Sequence, residues 1–442
     1  MTAREAVFKT LSAFRRSNTL RELPFNDLSS NSDVSASERA LATQILKGVL
    51  QNMAYCDYIV SQYSSIELKK LHPLALDILR ISVYQIIFLT KVPAGAAVDE
   101  GVKLAKKHVN PRAAGFVNAI LRKIASCAEN GTLPEVKADS ELSRLSILYS
   151  HPQWLVNEYY NLLGLDGTQA LLEANNSSNL PVFAQVNTLR TSADAVLSAL
   201  NATGVKANKH EWLDNCIELH SPGMIAELDV FKKGHVYIQD PASGLAVTAA
   251  APKPGDTVID GCAAPGGKSF ASAIAMKNTG SVIACDLSDS GLKRISDGCK
   301  RLGIDIITTH NKNASLMYDD HIQKADLVMA DVPCSGFGVI RKKPDIRYKD
   351  PQEIAGLFEV QLSILRNLSN YVKPGGTLLY STCTLLRQEN EEVIETFLAE
   401  RSEFSAAAFT LDGLGSFPDG KLTLLPHIHG TDGFFICKLT RR

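Results

Sequence analysis

The 442-residue chain contains no CxxC pair, although it carries nine cysteines. They are scattered at Cys56, Cys127, Cys216, Cys262, Cys285, Cys299, Cys334, Cys383 and Cys437. That pattern gives neither a disulfide framework nor a zinc site of familiar spacing, and no metal is expected. Most of these thiols should be reduced and buried. Also missing is any run approaching the ~18 uncharged apolar residues of a membrane span. The nearest candidate, Leu74 to Leu89, holds Asp77, Arg80 and Gln85, and reads as a buried helix. The opening stretch MTAREAVFKTLSAFRR mixes charge into its apolar positions and lacks a secretory cleavage signal. These absences predict a soluble, cytoplasmic protein with no membrane partner. Proline (18) and glycine (29) are near average, which excludes collagen-like and wholly disordered chains. Internal repeats and low-complexity tracts are absent too.

What is present divides into three zones. At ~100–200 residues per domain, the length allows two to four domains. Residues 1–130 carry 17 Lys+Arg against 11 Asp+Glu, whereas the remainder carries 29 against 36. This first zone reads as an all-helical bundle. Ser35-x-x-Glu38 has the form of a capping box, Pro73 and Pro111 suit first helical positions, and Val92-Pro-Ala-Gly95 breaks the pattern between them. Polarity rises over 129–141, a predicted linker. Residues 142–235 mix short helices (141–149, 168–174, 192–202) with strands near 182–187 and 216–219, and predict a small α+β module. From 236 to 442, short apolar strands (257–259, 282–285, 305–308, 327–330 and 378–380) alternate with helices. That alternation predicts a parallel α/β sheet with a ligand at the carboxyl ends of its strands.

Three strand ends carry chemistry. The loop Cys262-Ala263-Ala264-Pro265-Gly266-Gly267-Lys268 follows a strand and opens a helix, where backbone N–H groups meet a nucleotide-like ligand. It is not a P-loop, because the first glycine of GxxxxGK[ST] would fall at Cys262, and GxGxxG is also absent. Asp286 ends the next strand, 20 residues beyond Gly266, where a carboxylate accepts hydrogen bonds from two ribose hydroxyls. Together they favour an adenosine-containing cofactor without phosphates at the loop. Asp331-Val-Pro-Cys334-Ser-Gly336 and Ser381-Thr-Cys383-Thr384 then bring two thiols and a carboxylate to one cleft. That set suits methylation at carbon 5 of a pyrimidine. A thiolate adding at carbon 6 activates carbon 5, a carboxyl group holds the N3 and amino edge, and a second thiol or a water it positions serves elimination. The spacing leaves open which thiol attacks. Such a base reacts only out of the stack, so the substrate is a loop or an extruded nucleotide. A basic run, Arg341-Lys342-Lys343-Pro-Asp-Ile-Arg347-Tyr-Lys349, lies beside this cleft and is expected to touch RNA phosphates.

These motifs resemble those of the RNA cytosine-5 methyltransferases that use S-adenosylmethionine. The resemblance rests on Gln239-Asp-Pro-Ala-Ser243, the Cys262–Lys268 loop, Asp331–Gly336, Ser381–Thr384 with Glu389-Asn-Glu391, and Asp432-Gly-Phe-Phe435. In the first zone, Ser37-Glu-Arg-Ala-Leu-Ala42, Pro93-Ala-Gly-Ala-Ala-Val-Asp-Glu100 and Arg112-Ala-Ala-Gly-Phe-Val-Asn-Ala119 resemble the NusB-like domain of the RsmB (Sun/Fmu) branch. The resemblance spans essentially the whole chain. It implies a multidomain fold: a NusB-like RNA-binding bundle (1–130), a small α+β RNA-binding module (142–235) and a Rossmann-like class I methyltransferase domain (236–442). It further implies methylation of one 16S rRNA cytosine by a protein expected to act as a monomer. Cys383 becomes the nucleophile, Cys334 the aid to product release, and Asp331 the contact to the base and to the methionine end of the cofactor. The Cys262–Lys268 loop and Asp286 become cofactor contacts, with Lys268 also orienting substrate. Where the family usually has Gly-Asp-Ala after the third strand, this chain has His310-Asn-Lys-Asn-Ala-Ser315, and Asn313 takes the position facing the adenine. Rival readings are the same chemistry on a tRNA or another rRNA cytosine, a non-methylating nucleoside enzyme, and a non-catalytic RNA-binding protein. Intact thiols, Asp331 and glycine loop argue against the last.

Overall fold

The computed structural model describes residues 2–17, 35–177 and 180–442. The chain divides into two compact units, residues 1–176 with 343–349, and residues 177–342 with 350–442.

The described part of the first unit is helical: Ala3–Ser17, Ala36–Gln51, Met53–Tyr63, Pro73–Phe88, Ala94–His108, Pro111–Glu129, Glu141–Leu148 and Gln153–Asn175. Ser35 caps the second helix by accepting the Glu38 N–H at 3.2 Å. The other half of the expected box is diverted, because Glu38 Oε2 accepts the Ala3 N–H at 2.7 Å instead. Pro73 and Pro111 occupy first-turn positions as predicted, and Asn110 Oδ1 caps the latter helix through the Ala113 N–H. Apolar faces carrying Leu11, Ile45, Ile59, Ile78 and Ile124 make one core. The stretch after Glu129 lies against this unit, with Tyr58 Oη donating to the Glu135 carbonyl. The predicted boundary at 142 therefore falls inside the first unit, which continues through the helix Gln153–Asn175. Gly164 (φ +69°) interrupts that helix.

The second unit holds two principal sheets. Strands β1 (Val182–Val186), β2 (Lys206–Lys209), β3 (Cys216–His220) and β4 (Val236–Ile238) form an antiparallel sheet in the order β2-β3-β1-β4. Because β4 completes this sheet, residue 236 is not a clean boundary.

The larger sheet contains β5 (Thr257–Asp260), β6 (Ser281–Asp286), β7 (Ile307–Asn311), β8 (Ala325–Asp331), β9 (Val372–Thr382), β10 (Phe404–Ala406), β13 (Lys421–Leu424) and β14 (Phe434–Arg441). A separate pair, β11 (Phe409–Leu411) and β12 (Gly415–Phe417), lies off it. Strands β7, β6, β5, β8 and β9 run parallel, as expected. The sheet is nevertheless mixed, since β14 pairs antiparallel with β9 and carries β13 and β10 on its other edge. Side chains alternate across it. Leu327, Met329, Leu379 and Ile436 face the helices Pro241–Ala250, Gly267–Ala275 and Asp289–Leu302. Val328, Leu378, Tyr380 and Cys437 face Leu357–Ser369 and Glu391–Glu400. From β5 the chain winds outward through β6 to β7 and then returns to β8. The order therefore reverses between β5 and β8, and a crevice opens at their carboxyl ends.

Candidate active site

At that crevice lies a cavity of about 560 Å³ with Cys262, Asp286, Asn313, Asp331, Cys334 and Cys383 in its wall. Leu287, largely exposed, stands at its side. The glycine loop builds one end. Gly266 sits at φ +108°, and a Cβ there would come within 2.8 Å of the Phe270 ring and 2.9 Å of Ile295. A Cβ on Gly267 would meet Gln239 Nε2 at 2.8 Å. These glycines let the loop turn into the helix Gly267–Ala275 against its neighbours. Within the loop, Cys262 and Ala264 line the cavity, whereas Ala263 is buried and Pro265 points to solvent.

Asp286 ends β6 with both oxygens engaged: Oδ2 accepts the Ala264 N–H at 2.9 Å and Oδ1 the Ser288 N–H at 2.8 Å. Each oxygen retains a lone pair for a hydroxyl donor. Asn313 Oδ1 accepts the Ser315 N–H at 2.9 Å, which fixes the amide at the cavity wall.

The reactive end is built by the parallel register of β8 and β9, which sets Asp331 beside Ser381. Asp331 Oδ2 accepts from Lys268 Nζ at 2.6 Å, and Oδ1 from Ser381 Oγ at 2.7 Å. Lys268 thus turns away from the loop that carries it, and its ammonium lies 5.1 Å from the centroid of the Phe434 ring. Past the strand ends, Cys334 Sγ and Cys383 Sγ stand 3.2 Å apart. The contact with Cys334 holds the Cys383 thiol below the ordinary range. That same contact, with burial, pushes the Cys334 thiol well up. Elsewhere burial raises Cys285 and Cys299 to about 11.

Two backbone contacts immobilise the Cys334 loop. The Gly338 N–H donates to the Cys383 carbonyl at 2.9 Å, and the Gly433 N–H to the Gly338 carbonyl at 2.8 Å. A Cβ on Gly338 would lie 1.8 Å from the Gly433 carbonyl oxygen, so the two chains cross where only glycine fits.

The basic run departs from expectation. Arg341 is 7% exposed, and its Nε donates to Asp432 Oδ1 at 3.2 Å. Lys342 bridges Asp240 Oδ2 and Asp432 Oδ2. Arg347, within the first unit, is fully buried and donates to the carbonyls of Gln51, Tyr149 and Ser150 and to Asn176 Oδ1. Burial removes Arg341 and Arg347 from any phosphate-facing surface, and only Lys343 of the four named cations is exposed. Their partners lie 90 to 296 positions away in the chain, so clustering of charge in the sequence did not reveal them. Ser381, Glu389 and Asn390 were named from the sequence as motif residues, but without a role.

Among the described residues, no group of three or more His, Cys, Asp or Glu is placed to hold a metal ion. None of the described helices is long and apolar enough to cross a membrane.

Comparison with known proteins accounts for each part of the chain. Residues 1–126 match the NusB family, 151–226 the ferredoxin-like domain of RsmF/B-like methyltransferases, and 247–440 the 16S rRNA methyltransferase RsmB/F family. A probable ribosomal RNA small subunit methyltransferase B of Bacillus subtilis is 35% identical over 100% of this chain and 99% of its own. One from Synechocystis is 30% identical over the whole of both chains. The crystal structure of a protein designated PH0851 is similar over 99% of this chain and 98% of that one, with 26% identity and a TM-score of 0.80. The chain therefore belongs to the ribosomal RNA small subunit methyltransferase B family, with a NusB-type helical domain, a ferredoxin-like domain and an RsmB/F methyltransferase domain.

Proposed function

We propose that this rRNA methyltransferase methylates carbon 5 of a cytosine in 16S rRNA, using S-adenosylmethionine and a transient bond from Cys383 to carbon 6. The carrying observation is the pair of thiols 3.2 Å apart, beside a lysine-bound carboxylate and in the wall of the cavity that the glycine loop borders. The cavity suits the cofactor: Asp286 retains acceptor capacity for ribose hydroxyls, Leu287 offers an apolar face, and Asn313 stands where the adenine edge is expected. When bound there, S-adenosylmethionine supplies a methyl group on a sulfonium.

The protein's own residues do the rest. The Cys383 thiolate adds to carbon 6, and electron density shifts toward carbon 5 and N3. Asp331, held by Lys268 and Ser381, accepts from the cytosine amino group, and the Lys268 ammonium beside it offsets the negative charge that develops at N3. Once carbon 5 carries the methyl group, its proton passes to a base, the deprotonated Cys334 or a water it orients, and the electron pair left behind expels Cys383 as a thiolate. The NusB-type unit, rich in Lys and Arg, supports an rRNA partner in place of a small nucleoside.

The test combines labelled cofactor, a 16S transcript and two variants. Cys383→Ala should abolish methyl transfer and form no adduct. Cys334→Ala should accumulate a protein–RNA adduct that survives denaturation. An adduct in Cys383→Ala would exchange the two roles, and efficient labelling of a tRNA with none of 16S RNA would replace the substrate.

A further inference from the structure

Glu389, 2% exposed, lies in the turn between β9 and the helix Glu391–Glu400. Its Oε2 accepts the Ser335 N–H at 2.8 Å and Gln361 Nε2 at 2.9 Å, while its buried Oε1 has no hydrogen-bond partner. Ser335 directly follows Cys334, and Gln361 Nε2 also reaches the Pro333 carbonyl at 3.1 Å. The carboxylate therefore ties down the chain on both sides of Cys334.

The next residue treats the other thiol in the same way. Asn390 Oδ1 accepts from Thr382 Oγ1 at 2.6 Å, and its Nδ2 donates to the Thr384 carbonyl at 3.1 Å, bracketing Cys383. The hydroxyls of Ser335 and Thr384 meet at 2.8 Å. Two adjacent side chains thus grip one thiol turn each.

The charges around the two sulfurs are unequal. Beyond its contact with Cys334 and its burial, Cys383 feels the Asp331 carboxylate, the opposing Lys268 ammonium and the Asp432 carboxylate. Beyond its contact with Cys383 and its burial, Cys334 feels the Glu389 carboxylate, with Tyr380 as a further titratable neighbour. A carboxylate disfavours a thiolate beside it, and an ammonium favours one. We propose that Glu389 is a positioning residue that keeps the shared proton of the thiol pair on Cys334 and leaves Cys383 as the thiolate. The Cys334 S–H then donates to the Cys383 anion across the 3.2 Å gap. The inference rests on the proposed reaction for its consequence, the choice of attacking sulfur, but not for its test.

Initial alkylation rates at each thiol, read by mass spectrometry on the full chain with iodoacetamide from pH 5 to 9, provide that test. In this reaction a thiolate sulfur bonds the reagent carbon and iodide leaves. Wild type should label Cys383 ~10-fold faster than Cys334, because the thiolate is the nucleophile. Glu389→Gln keeps an acceptor oxygen for Ser335 and Gln361 but removes the charge. It should bring the two rates within about 2-fold and move the labelling midpoint to lower pH. Glu389→Asp keeps the charge and should retain the Cys383 preference. Wild-type preference and midpoint in Glu389→Gln would overturn the proposal, as would equal loss in both variants, which marks a purely structural clamp. Absent methyl transfer with intact labelling would instead sink the proposed reaction and leave this inference standing.

Discussion

The thiol turn at Cys334 and the basic run beginning seven residues later at Arg341 meet opposite fates. The first brings a reactive side chain against a partner from another strand, at the mouth of a cavity. The second sends Arg341 and Arg347 inward, one onto carboxylates and one onto neutral carbonyls. Reactive groups at consecutive strand ends must converge, because a parallel sheet aligns those ends. A run of like charge carries no such geometric consequence. Its meaning depends on partners that the local sequence does not contain.

That contrast is sharpest in a paired substitution. Cys383→Ala should lower methyl transfer at least ~10³-fold by removing the covalent step, with the unfolding transition shifted by less than about 0.5 kcal/mol. Arg347→Met should do the reverse. Its lost donors leave several buried carbonyls short of partners, costing about 2–4 kcal/mol of helical-unit stability in thermal unfolding. Turnover at permissive temperature should stay near wild type, and loss of activity without loss of stability would return the run to a functional role.

Asp260 offers a similar test inside the catalytic unit. Burial pushes its carboxyl up to about 7 from 3.8, despite a bond from Ser269. Between those values the folded state holds a proton that the unfolded chain releases, so stability is full below pH 4 and falls as pH rises through 7. Asp260→Asn removes that loss. Its advantage over wild type in denaturant unfolding should grow by about 2–4 kcal/mol from pH 4 to pH 8. A difference independent of pH would show that Asp260 keeps its charge when buried.

Smaller effects probe the edges of the comparison. Asn313→Ala should weaken S-adenosylmethionine binding about 3- to 10-fold in calorimetry, the value of one hydrogen bond. Unchanged affinity would displace Asn313 from the adenine edge. Lys343, the exposed member of the run, should neutralise one phosphate. Lys343→Ala then lowers the slope of log affinity against log salt by about one. An unaltered slope would leave the run with no RNA contact.

Most of the architecture was legible because each zone has its own periodicity and its own caps. Cys334, Cys383 and Asp331 were legible because strand ends in such a sheet face one crevice. The positions of β4 and β14 were harder to read. Both are short or terminal to their region, and both pair antiparallel with strands distant in sequence. Glu389 was hidden because a carboxylate in a turn looks solvated until Ser335 and Gln361 are seen to surround it.

The crossing of Gly338 with Gly433 sets an order on biosynthesis. The loop bearing Cys334 is pinned by residues immediately ahead of β14, and Asp432 completes the anchor for Arg341 and Lys342. Translation must therefore reach the 430s before the pocket can assume its working shape. A nascent polypeptide stalled after Thr384 would own both sulfurs and still be unable to hold them against each other.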